Sequence, residues 1–451
     1  MSENSARRMS DDSAPGTNDD AARSMSDSDR RKSRFGEAVV WNIASIAVLG
    51  VSGILLNLLI LGSYDEATLG VFNQALAAYI FFSQLAVGGI NASVLRAIAE
   101  QKDDARRVAD VVVGGYALTI GLAFCAAVLL WLMRTPIAGW LDSPDTAIGI
   151  AACAPGIFFF ALNKIGLAVV NGRQRMRAFA VYTSLRYLLI LVALAGFQLY
   201  DTERTHGAWL AFVFTFSETV LCLILAPEVF AALRARWSAA WKDWARTHFS
   251  YGVKSCASGV LLELNARVDV LMIGHFMADR FVGIYTIAAM VAEGVYQLLV
   301  VLQNLYNPIV AREVAARRFD ELLATIKKAR RLVYAGMIVV GVTCVLVYPY
   351  VVPYLSDKPG VLESSVPFAW LALGIVLASG YTPFAQTLLM ANQPAWHTLY
   401  MTITVLTNVI GNSLLIPRLG LAGAAISTSF AMFASVFVLK ALVRRRVGLK
   451  L

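Results

Sequence analysis

The sequence predicts an all-α polytopic membrane protein, with twelve transmembrane helices in two six-helix lobes around a central cavity. Three observations predict this fold: the composition, the length of the apolar runs and a weak internal repeat. Of the 451 residues, 58% are hydrophobic and only 15% are charged, and the mean hydropathy is +0.63. A soluble domain carries about 25% charged residues. The chain therefore lacks the polar surface that soluble domains of this total length need.

Residues 1–34 differ from the rest of the chain. They contain seven basic and seven acidic residues, many serines and few large apolar side chains. Such a segment buries too little apolar surface to fold, so we predict a disordered cytoplasmic tail. It has no apolar core region and is not a signal peptide. Because the tail is neutral, the net charge of +9 belongs to residues 35–451.

Twelve apolar runs are long enough to cross about 30 Å of hydrocarbon as helices of roughly 20 residues. Helices are the expected form, because a helix satisfies its own backbone hydrogen bonds in lipid. The runs cover residues 37–62, 68–92, 109–133, 147–170, 177–199, 207–228, 249–275, 281–308, 332–355, 365–389, 396–416 and 420–442.

The basic residues are distributed unevenly between the connections. With the N-terminus inside, the inner connections and chain ends hold 27 Lys and Arg residues from position 30 onward, whereas the outer connections hold five. This bias follows the positive-inside rule, so both termini are predicted to be cytoplasmic. The basic residues are then topology signals that face anionic lipid, and no nucleic-acid partner is predicted.

The two halves of the chain resemble each other weakly. The second run begins LGVFNQALA (69–77) and the eighth begins VGIYTIAAM (282–290), at an offset of 213 residues. Because each half holds six runs, the halves share one orientation and their pseudo-two-fold axis follows the membrane normal. The predicted domains are the tail 1–34, an N-terminal lobe 35–230, a linker 231–248, a C-terminal lobe 249–445 and a basic tail 446–451.

Local signals occur in the linker and in two of the runs. Trp237, Trp241 and Trp244 have helical spacing among basic residues, which predicts an amphipathic helix on the cytoplasmic leaflet. Pro155-Gly156 and the segment 380–383 predict a kink or a break in the fourth and tenth helices.

No residue pattern predicts a metal, a cofactor or catalysis. The five cysteines lie inside apolar runs without CxxC spacing, which favours buried hydrophobic roles. The four histidines lie near the ends of runs without metal-ligand spacing. The sequence contains no P-loop motif for ATP. We therefore predict a protein that is not an enzyme and is not powered by ATP hydrolysis.

Charged residues inside the apolar runs are the main functional candidates, because a charge at the bilayer centre costs about 2.5–3.5 kcal/mol on insertion scales. Arg186 lies roughly 14 Å into its run, and this depth makes it the first candidate for a cation lining the cavity. Glu263 and Arg267 share a helical face, whereas Asp269 lies about 200° around the helix from Arg267. The candidates are Lys164, Arg186, Glu218, Glu263, Arg267, Asp269 and Glu293.

Three stretches of the chain resemble a known superfamily. They are LGVFNQALAAYIFFSQLAVGGINASVLRAIAE (69–100), LLELNARVDVLMIGHFMADRFVGIYTIAAM (261–290) and NQPAWHTLYMTITVLTNVIGNSLLIPRLGLAGAAISTS (392–429). The residues of the family pattern in them are Asp269, Gly283, Tyr285, Asn412, Pro417, Gly420 and Gly423. With these stretches the chain resembles the multidrug/oligosaccharidyl-lipid/polysaccharide exporter superfamily. Within it, the chain resembles the polysaccharide transport family, which includes O-antigen and capsule-repeat flippases.

This resemblance implies a flippase for a polyprenyl-pyrophosphate-linked oligosaccharide repeat unit, in the bacterial inner membrane. The product serves surface polysaccharide: lipopolysaccharide O-antigen, capsule or exopolysaccharide. The implied partners are the lipid-linked oligosaccharide, the bilayer and polysaccharide polymerase or assembly proteins. No cofactor is implied.

Two interpretations of the intramembrane charges remain open. In the functional one, guanidinium and ammonium groups bind the pyrophosphate, and a carboxylate binds a coupling proton or sodium ion. In the structural one, the same residues form buried ion pairs that only fix helix packing. The substrate-cavity candidates are Arg186, Arg267, Lys164 and Asn57. The coupling-ion candidates are Glu263, Asp269, Glu293 and Glu218.

Two other functions are weighed against the flippase. For a cation-coupled multidrug or small-metabolite antiporter of the same superfamily, we expect an acidic residue within the first apolar run. Residues 37–62 carry only Glu37, at the edge of the run, with Asn42 and Asn57. A membrane polysaccharide polymerase or ligase needs a large outer loop with catalytic residues. The longest outer connection, about 134–146, has no histidine and no acid–base pair, which argues against an enzyme.

Overall fold

The computed structural model describes residues 41, 45, 47–101, 104–355 and 359–449. Over these residues the chain is helical and contains no strand. The predicted tail 1–34 lies outside the described residues. The helices are α1 (Ala47–Ser63), α2 (Glu66–Val87), α3 (Ile90–Glu100), α4 (Ala105–Trp140), α5 (Pro144–Gly172), α6 (Met176–Tyr200), α7 (Phe212–Ala232), α8 (Trp241–Phe276), α9 (Asp279–Ala315), α10 (Phe319–Leu355), α11 (Ser365–Ala378), α12 (Thr387–Met390) and α13 (Pro394–Arg446).

The fold of twelve transmembrane helices is confirmed. Within the described residues, nine helices are long and apolar enough to cross a membrane. One of them, α13, supplies two spans, because Gly420 (φ 58°, ψ −135°) breaks it between the eleventh and twelfth predicted runs. The first and seventh runs lie on α1 and α8. Each predicted run therefore coincides, in whole or in part, with a helix of the described residues.

Glycine and proline interrupt two of the predicted runs. Gly88 (φ 52°) and Gly89 (φ 71°) end the second run, and α3 continues as a separate helix into the predicted connection. The tenth run breaks between Ala378, where α11 ends, and Thr387, where α12 begins. This second break falls on the segment 380–383, as predicted.

Pro155 does not break α5. The hydroxyl of Thr215, on α7, donates to the Ala152 carbonyl over 2.7 Å and accepts from the Gly156 N–H over 3.1 Å. Thr215 therefore satisfies backbone groups next to the proline, which is how a proline is tolerated inside a transmembrane helix.

The linker differs from its predicted form. Residues 233–240 are not helical, and α8 begins only at Trp241. Trp237 is 54% exposed in the non-helical segment, whereas Trp244 packs against the apolar core of the N-terminal lobe. Asp110 holds the linker by accepting from the Ser238 N–H (2.6 Å) and hydroxyl (2.8 Å). These contacts attach the linker to protein.

The predicted outer connections lie together on one face. Tyr64 donates to Asp201 over 2.8 Å, and Ser143 donates to Asp279 over 2.8 Å. A Cβ on Gly360 would lie 2.9 Å from Arg280, and one on Gly420 would lie 3.3 Å from Met277. This face is called the outer face below and the opposite one the inner face, following the predicted orientation.

The two lobes share an apolar core only in the outer part of the molecule. One cluster there joins buried residues of both lobes, such as Phe72 and Tyr285. Toward the inner face the cores are separate, with one around Val112 and Ile165 and another around Ile326 and Leu439. The apolar contact between the lobes is therefore concentrated toward the outer face, while near the inner face the beginning of α8 packs against the N-terminal lobe, where Ser93 and His248 are hydrogen-bonded over 2.8 Å.

The contact at the outer face rests on a reciprocal crossing of α2 and α9. A Cβ on Gly70 would lie 1.9 Å from the carbonyl oxygen of Asp279, and a Cβ on Gly283 would lie 1.9 Å from that of Glu66. Gly70 and Gly283 are equivalent at the repeat offset of 213 residues, and so are Glu66 and Asp279. The weak sequence repeat thus corresponds to a pseudo-two-fold contact between the lobes.

Candidate functional site

A buried polar cluster reinforces the contact between the lobes at the outer face. The carboxylate of Asp279 accepts hydrogen bonds from Gln74 Nε2 and from Ser143 Oγ, both at 2.8 Å. Thr146 Oγ1 donates to Gln74 Oε1 over 2.6 Å. Gln74, Ser143 and Thr146 are fully buried. These four residues, called the outer latch below, tie α2 and α5 of the N-terminal lobe to α9 of the C-terminal lobe.

Arg186 and Glu218 form an ion pair within the N-terminal lobe. Arg186 Nε donates to Glu218 Oε1 over 2.5 Å, and the two residues are 8% and 2% exposed. The guanidinium carbon lies 4.2 Å from the centre of the Phe160 ring. Asn163 Nδ2 donates to the Glu218 carboxylate over 2.9 Å and to its carbonyl over 2.8 Å. The charge of Arg186 is therefore neutralised inside the lobe.

Lys164 and Arg267 have a different environment. Lys164 is half-buried on α5, with its ammonium 5.3 Å from the Phe160 ring centre. The Nε atom of Arg267 is buried without a hydrogen-bond partner. In the described part of the chain, neither cation lies within 4.0 Å of a carboxylate. Both keep hydrogen-bonding capacity for an anion.

Glu263 connects the charges of the two lobes. It interacts electrostatically with Arg267 on its own helix, with Lys164 from the N-terminal lobe and with Glu293 on α9. Glu293 is exposed in the middle of its span. We call Lys164, Glu263, Arg267 and Glu293 the cavity charges. Lys164 also interacts electrostatically with Arg186 and Glu218, so six of the eight candidates that the sequence predicts belong to one connected group of charges.

Asp269 lies in a polar cluster inside the C-terminal lobe. Its Oδ1 atom accepts from Asn408 Nδ2 (3.0 Å) and Asn412 Nδ2 (2.8 Å), and its Oδ2 atom accepts from Tyr285 (3.0 Å) and Thr428 (2.7 Å). The oxygen of the Asn412 amide is buried without a partner. This Asp269 cluster holds one carboxylate among neutral groups.

The Asp269 cluster can hold a hard cation. No group of three or more His, Cys, Asp and Glu residues suited to a metal ion occurs among the described residues. An amide that is turned over presents oxygen where it now presents nitrogen. Turning the Asn408 and Asn412 amides surrounds the Asp269 carboxylate with oxygens only, which is the ligand set that hard cations take.

Asn57 lies in a contact between helices of the N-terminal lobe. Its Nδ2 atom donates to the Gly53 carbonyl over 2.8 Å, and its Oδ1 atom accepts from Asn73 Nδ2 over 3.1 Å. Both groups of the amide thus have partners: Nδ2 is bound within α1, and Oδ1 joins α1 to α2. Asn57 and the Arg186–Glu218 pair have partners inside their lobe and are less available to a ligand than the cavity charges.

The family assignment follows from comparison with known proteins. A sequence model described as polysaccharide biosynthesis protein matches residues 42–315, more than half of the chain. The chain belongs to this family. A second model, MatE, matches residues 256–414. Both belong to the multidrug/oligosaccharidyl-lipid/polysaccharide exporter superfamily, so this member is a membrane transporter or flippase. No curated protein sequence matches the chain.

Solved structures of this superfamily share the fold. The lipid II flippase MurJ in an inward closed conformation superposes with a TM-score of 0.72 at 15% identity, covering 90% of this chain and 87% of its own. An inward-facing multidrug resistance transporter of the MATE family gives 0.72 at 14% identity, covering 88% and 94%. An outward-facing one gives 0.59 at 15% identity, covering 91% and 95%.

Several polar residues of the outer latch and of the Asp269 cluster were not identified from the sequence. Gln74, Ser143 and Thr146 of the outer latch are neutral residues that match no charge or metal pattern. Asn408 lies one helical turn before Asn412 and shares its face. From the sequence, this spacing is the one signal that could have predicted Asn408 as a further member of the Asp269 cluster.

Proposed function

We propose that this protein is a flippase that carries a polyprenyl-pyrophosphate-linked oligosaccharide repeat unit from the inner to the outer leaflet of the bacterial inner membrane. One observation carries the proposal: among the described residues Lys164 and Arg267 have no carboxylate within 4.0 Å, whereas the deeply buried Arg186 forms an ion pair with Glu218. Such cations bind pyrophosphate by charge-assisted hydrogen bonds. The match to polysaccharide biosynthesis proteins supports a glycan substrate.

The geometry suggests how the carrier binds and moves. Lys164 lies on α5 and Arg267 on α8, so a bound pyrophosphate contacts helices of both halves of the chain. Glu263 attracts the same cations and competes with the anion for them. Opening of the outer latch then releases the substrate to the opposite face, as alternating access requires.

The Asp269 cluster is proposed as the coupling-ion site. It is a buried single carboxylate with amide and hydroxyl neighbours, separate from the exposed Glu293. A proton or a sodium ion bound there changes the packing of α8 against α13. Through this change in packing, the ion gradient drives the conformational change.

A small-cation antiporter is the second candidate function. The MatE match covers Glu263, Asp269 and Glu293, and the exposed carboxylate of Glu293 suits a cationic substrate. Such a transporter needs carboxylates at the cavity, not Lys164.

The test is a deletion strain complemented with variants. Loss of the gene is expected to leave lipid-linked repeat units on the cytoplasmic leaflet and to remove surface polysaccharide. Lys164→Gln and Arg267→Gln should reach the membrane but restore less than a tenth of the polysaccharide. Lys242→Gln, which removes an exposed charge from the start of α8, is the matched control and should restore it fully.

Normal polysaccharide in the deletion strain, without accumulated intermediate, would contradict the flippase. If instead Glu293→Gln alone abolishes resistance to cationic compounds while Lys164→Gln does not, the antiporter is the correct function.

A further inference from the structure

Three side chains of the C-terminal lobe meet at the break between α11 and α12. Tyr381, in the broken segment, accepts hydrogen bonds from Arg330 Nη1 over 2.6 Å and from Lys440 Nζ over 3.5 Å. Both cations also lie beside the Tyr381 ring, at 5.1 Å and 5.2 Å from its centre. We call Arg330, Tyr381 and Lys440 the Tyr381 cluster. All three side chains are half-buried.

The Tyr381 cluster carries two positive charges and no negative one. Among the described residues, neither Arg330 nor Lys440 has a carboxylate within 4.0 Å. On the same part of the chain, Glu313 and Glu321 are paired with other arginines, and Asp320 is exposed. Two half-buried cations around one neutral phenol repel each other, and an anion between them removes that cost. The phenol accepts from both cations, so its own proton is free to donate.

The exposed side chains of α10 indicate how deep the Tyr381 cluster lies in the membrane. Lys327, Lys328 and Arg331 are exposed at its beginning. From Leu332 (75% exposed) to Val339 (65%) the exposed face becomes apolar. A change from cationic to apolar side chains on a membrane helix marks the boundary between lipid headgroups and hydrocarbon. Arg330 lies at that boundary.

The exposed face of α13 shows the same change at the same level. Phe430 (60% exposed) and Phe437 (56%) precede Lys440, and Arg444 and Arg445 are exposed beyond it. The two helices that supply the cations therefore agree on the position of the headgroup layer, which contains the cluster.

We propose that Arg330, Tyr381 and Lys440 bind the phosphate of an anionic phospholipid in the inner leaflet. The two cations and the phenol hydroxyl contact the phosphate oxygens, and the acyl chains extend from this level toward the bilayer centre. The site is distinct from the cavity charges and does not depend on the transported substrate.

The test measures lipid binding to the purified full-length protein after removal of endogenous lipid. Phosphatidylglycerol and phosphatidylcholine are titrated separately, and bound lipid is counted by native mass spectrometry. The wild type should prefer phosphatidylglycerol. Arg330→Gln and Lys440→Gln should each weaken its binding by about fivefold, the expected contribution of one basic residue.

Two further variants keep the test informative. Tyr381→Phe keeps the ring against the cations and removes only the hydroxyl, so it should weaken the binding of phosphatidylglycerol at least twofold. This variant still tests the site if Arg330→Gln or Lys440→Gln does not fold. Arg445→Gln removes an exposed charge from the same end of α13 and should change the affinity by less than twofold.

Three results would overturn the proposal. One is wild-type affinity for phosphatidylglycerol in all three cluster variants. Another is an equal loss in Arg445→Gln, which would show general surface attraction. The third is displacement of the lipid by inorganic phosphate at equal concentration, which would show a simple phosphate site.

Discussion

Arg186 on α6 donates from Nε to the Glu218 carboxylate on α7 over 2.5 Å, and neither residue is more than 8% exposed. The deepest cation in the N-terminal lobe is therefore already paired. Charge that can bind a ligand lies instead on Lys164 and Arg267. The pairing with Glu218 gives Arg186 a structural role, which can be measured against the predicted role in lining the cavity.

Arg186→Ala is expected to act on stability before it acts on transport. Removing one partner of a buried ion pair leaves the other charge uncompensated and lowers the free energy of unfolding by about 3–5 kcal/mol. Thermal unfolding in detergent and the amount of protein in the membrane measure this. The double variant Arg186→Met with Glu218→Leu should recover much of the loss, because no buried charge remains. Transport abolished at wild-type stability would instead assign Arg186 to the substrate.

Asp269→Asn is expected to remove the response to a coupling ion. If the Asp269 cluster binds sodium in the folded state, saturating sodium raises the unfolding temperature of the wild type, by linkage worth about 2.7 kcal/mol at a hundredfold excess over Kd. The variant should show no such rise. Choline chloride at the same ionic strength is the control for salt. A sodium-dependent rise that persists in Asp269→Asn would place the ion elsewhere.

Gly70→Ala and Gly283→Ala are expected to open the outer face. Each added Cβ meets a carbonyl oxygen of the opposite helix at 1.9 Å, so α2 and α9 must separate. In a background without the native cysteines, Leu141→Cys reports this, because Leu141 is buried on the outer face and does not belong to the outer latch. Labelling of the introduced thiol by a maleimide should rise at least tenfold in either glycine variant. Gly196→Ala, where nothing lies within 4 Å, should leave labelling unchanged, and equal labelling in all three would contradict closure by the glycines.

Asp201 is expected to make the connection after α6 sensitive to acid. Burial raises the pKa of its carboxyl, but hydrogen bonds from Tyr64 and from the His206 side chain and backbone outweigh it and hold the pKa at about 2, against an ordinary 3.8. Because the folded-state pKa is the lower one, this stabilisation is complete above about pH 5 and is lost as pH falls toward 2. Asp201→Asn should lower the unfolding temperature at pH 7 and differ little from wild type near pH 2. A difference that does not change with pH would exclude the carboxylate as its cause.

Sequence was sufficient for the spans because bilayer thickness fixes their length and hydropathy marks it. It was sufficient for the break at 380–383, since glycine and proline act locally. It could not pair Arg186 with Glu218, because pairing depends on how each helix is rotated about its axis, and a run such as 177–199 is apolar all round. Three of the four partners of Asp269 are neutral residues more than 100 positions away, and no charge pattern identifies Asn408 or Thr428. The linker was predicted as a surface helix because spacing of tryptophans does not show that Asp110 binds Ser238.

The crossing of α2 and α9 has the geometry of a symmetric dimer within a single chain. Gly70 and Asp279 make the same contact as Gly283 and Glu66, which is what an isologous interface requires of two identical subunits. Two copies of one six-helix half would already make both contacts. Duplication and fusion of such a half would preserve the crossing of α2 and α9. Each copy would then be free to evolve its own polar interior, with an arginine–glutamate pair in the first half and a lone aspartate in the second.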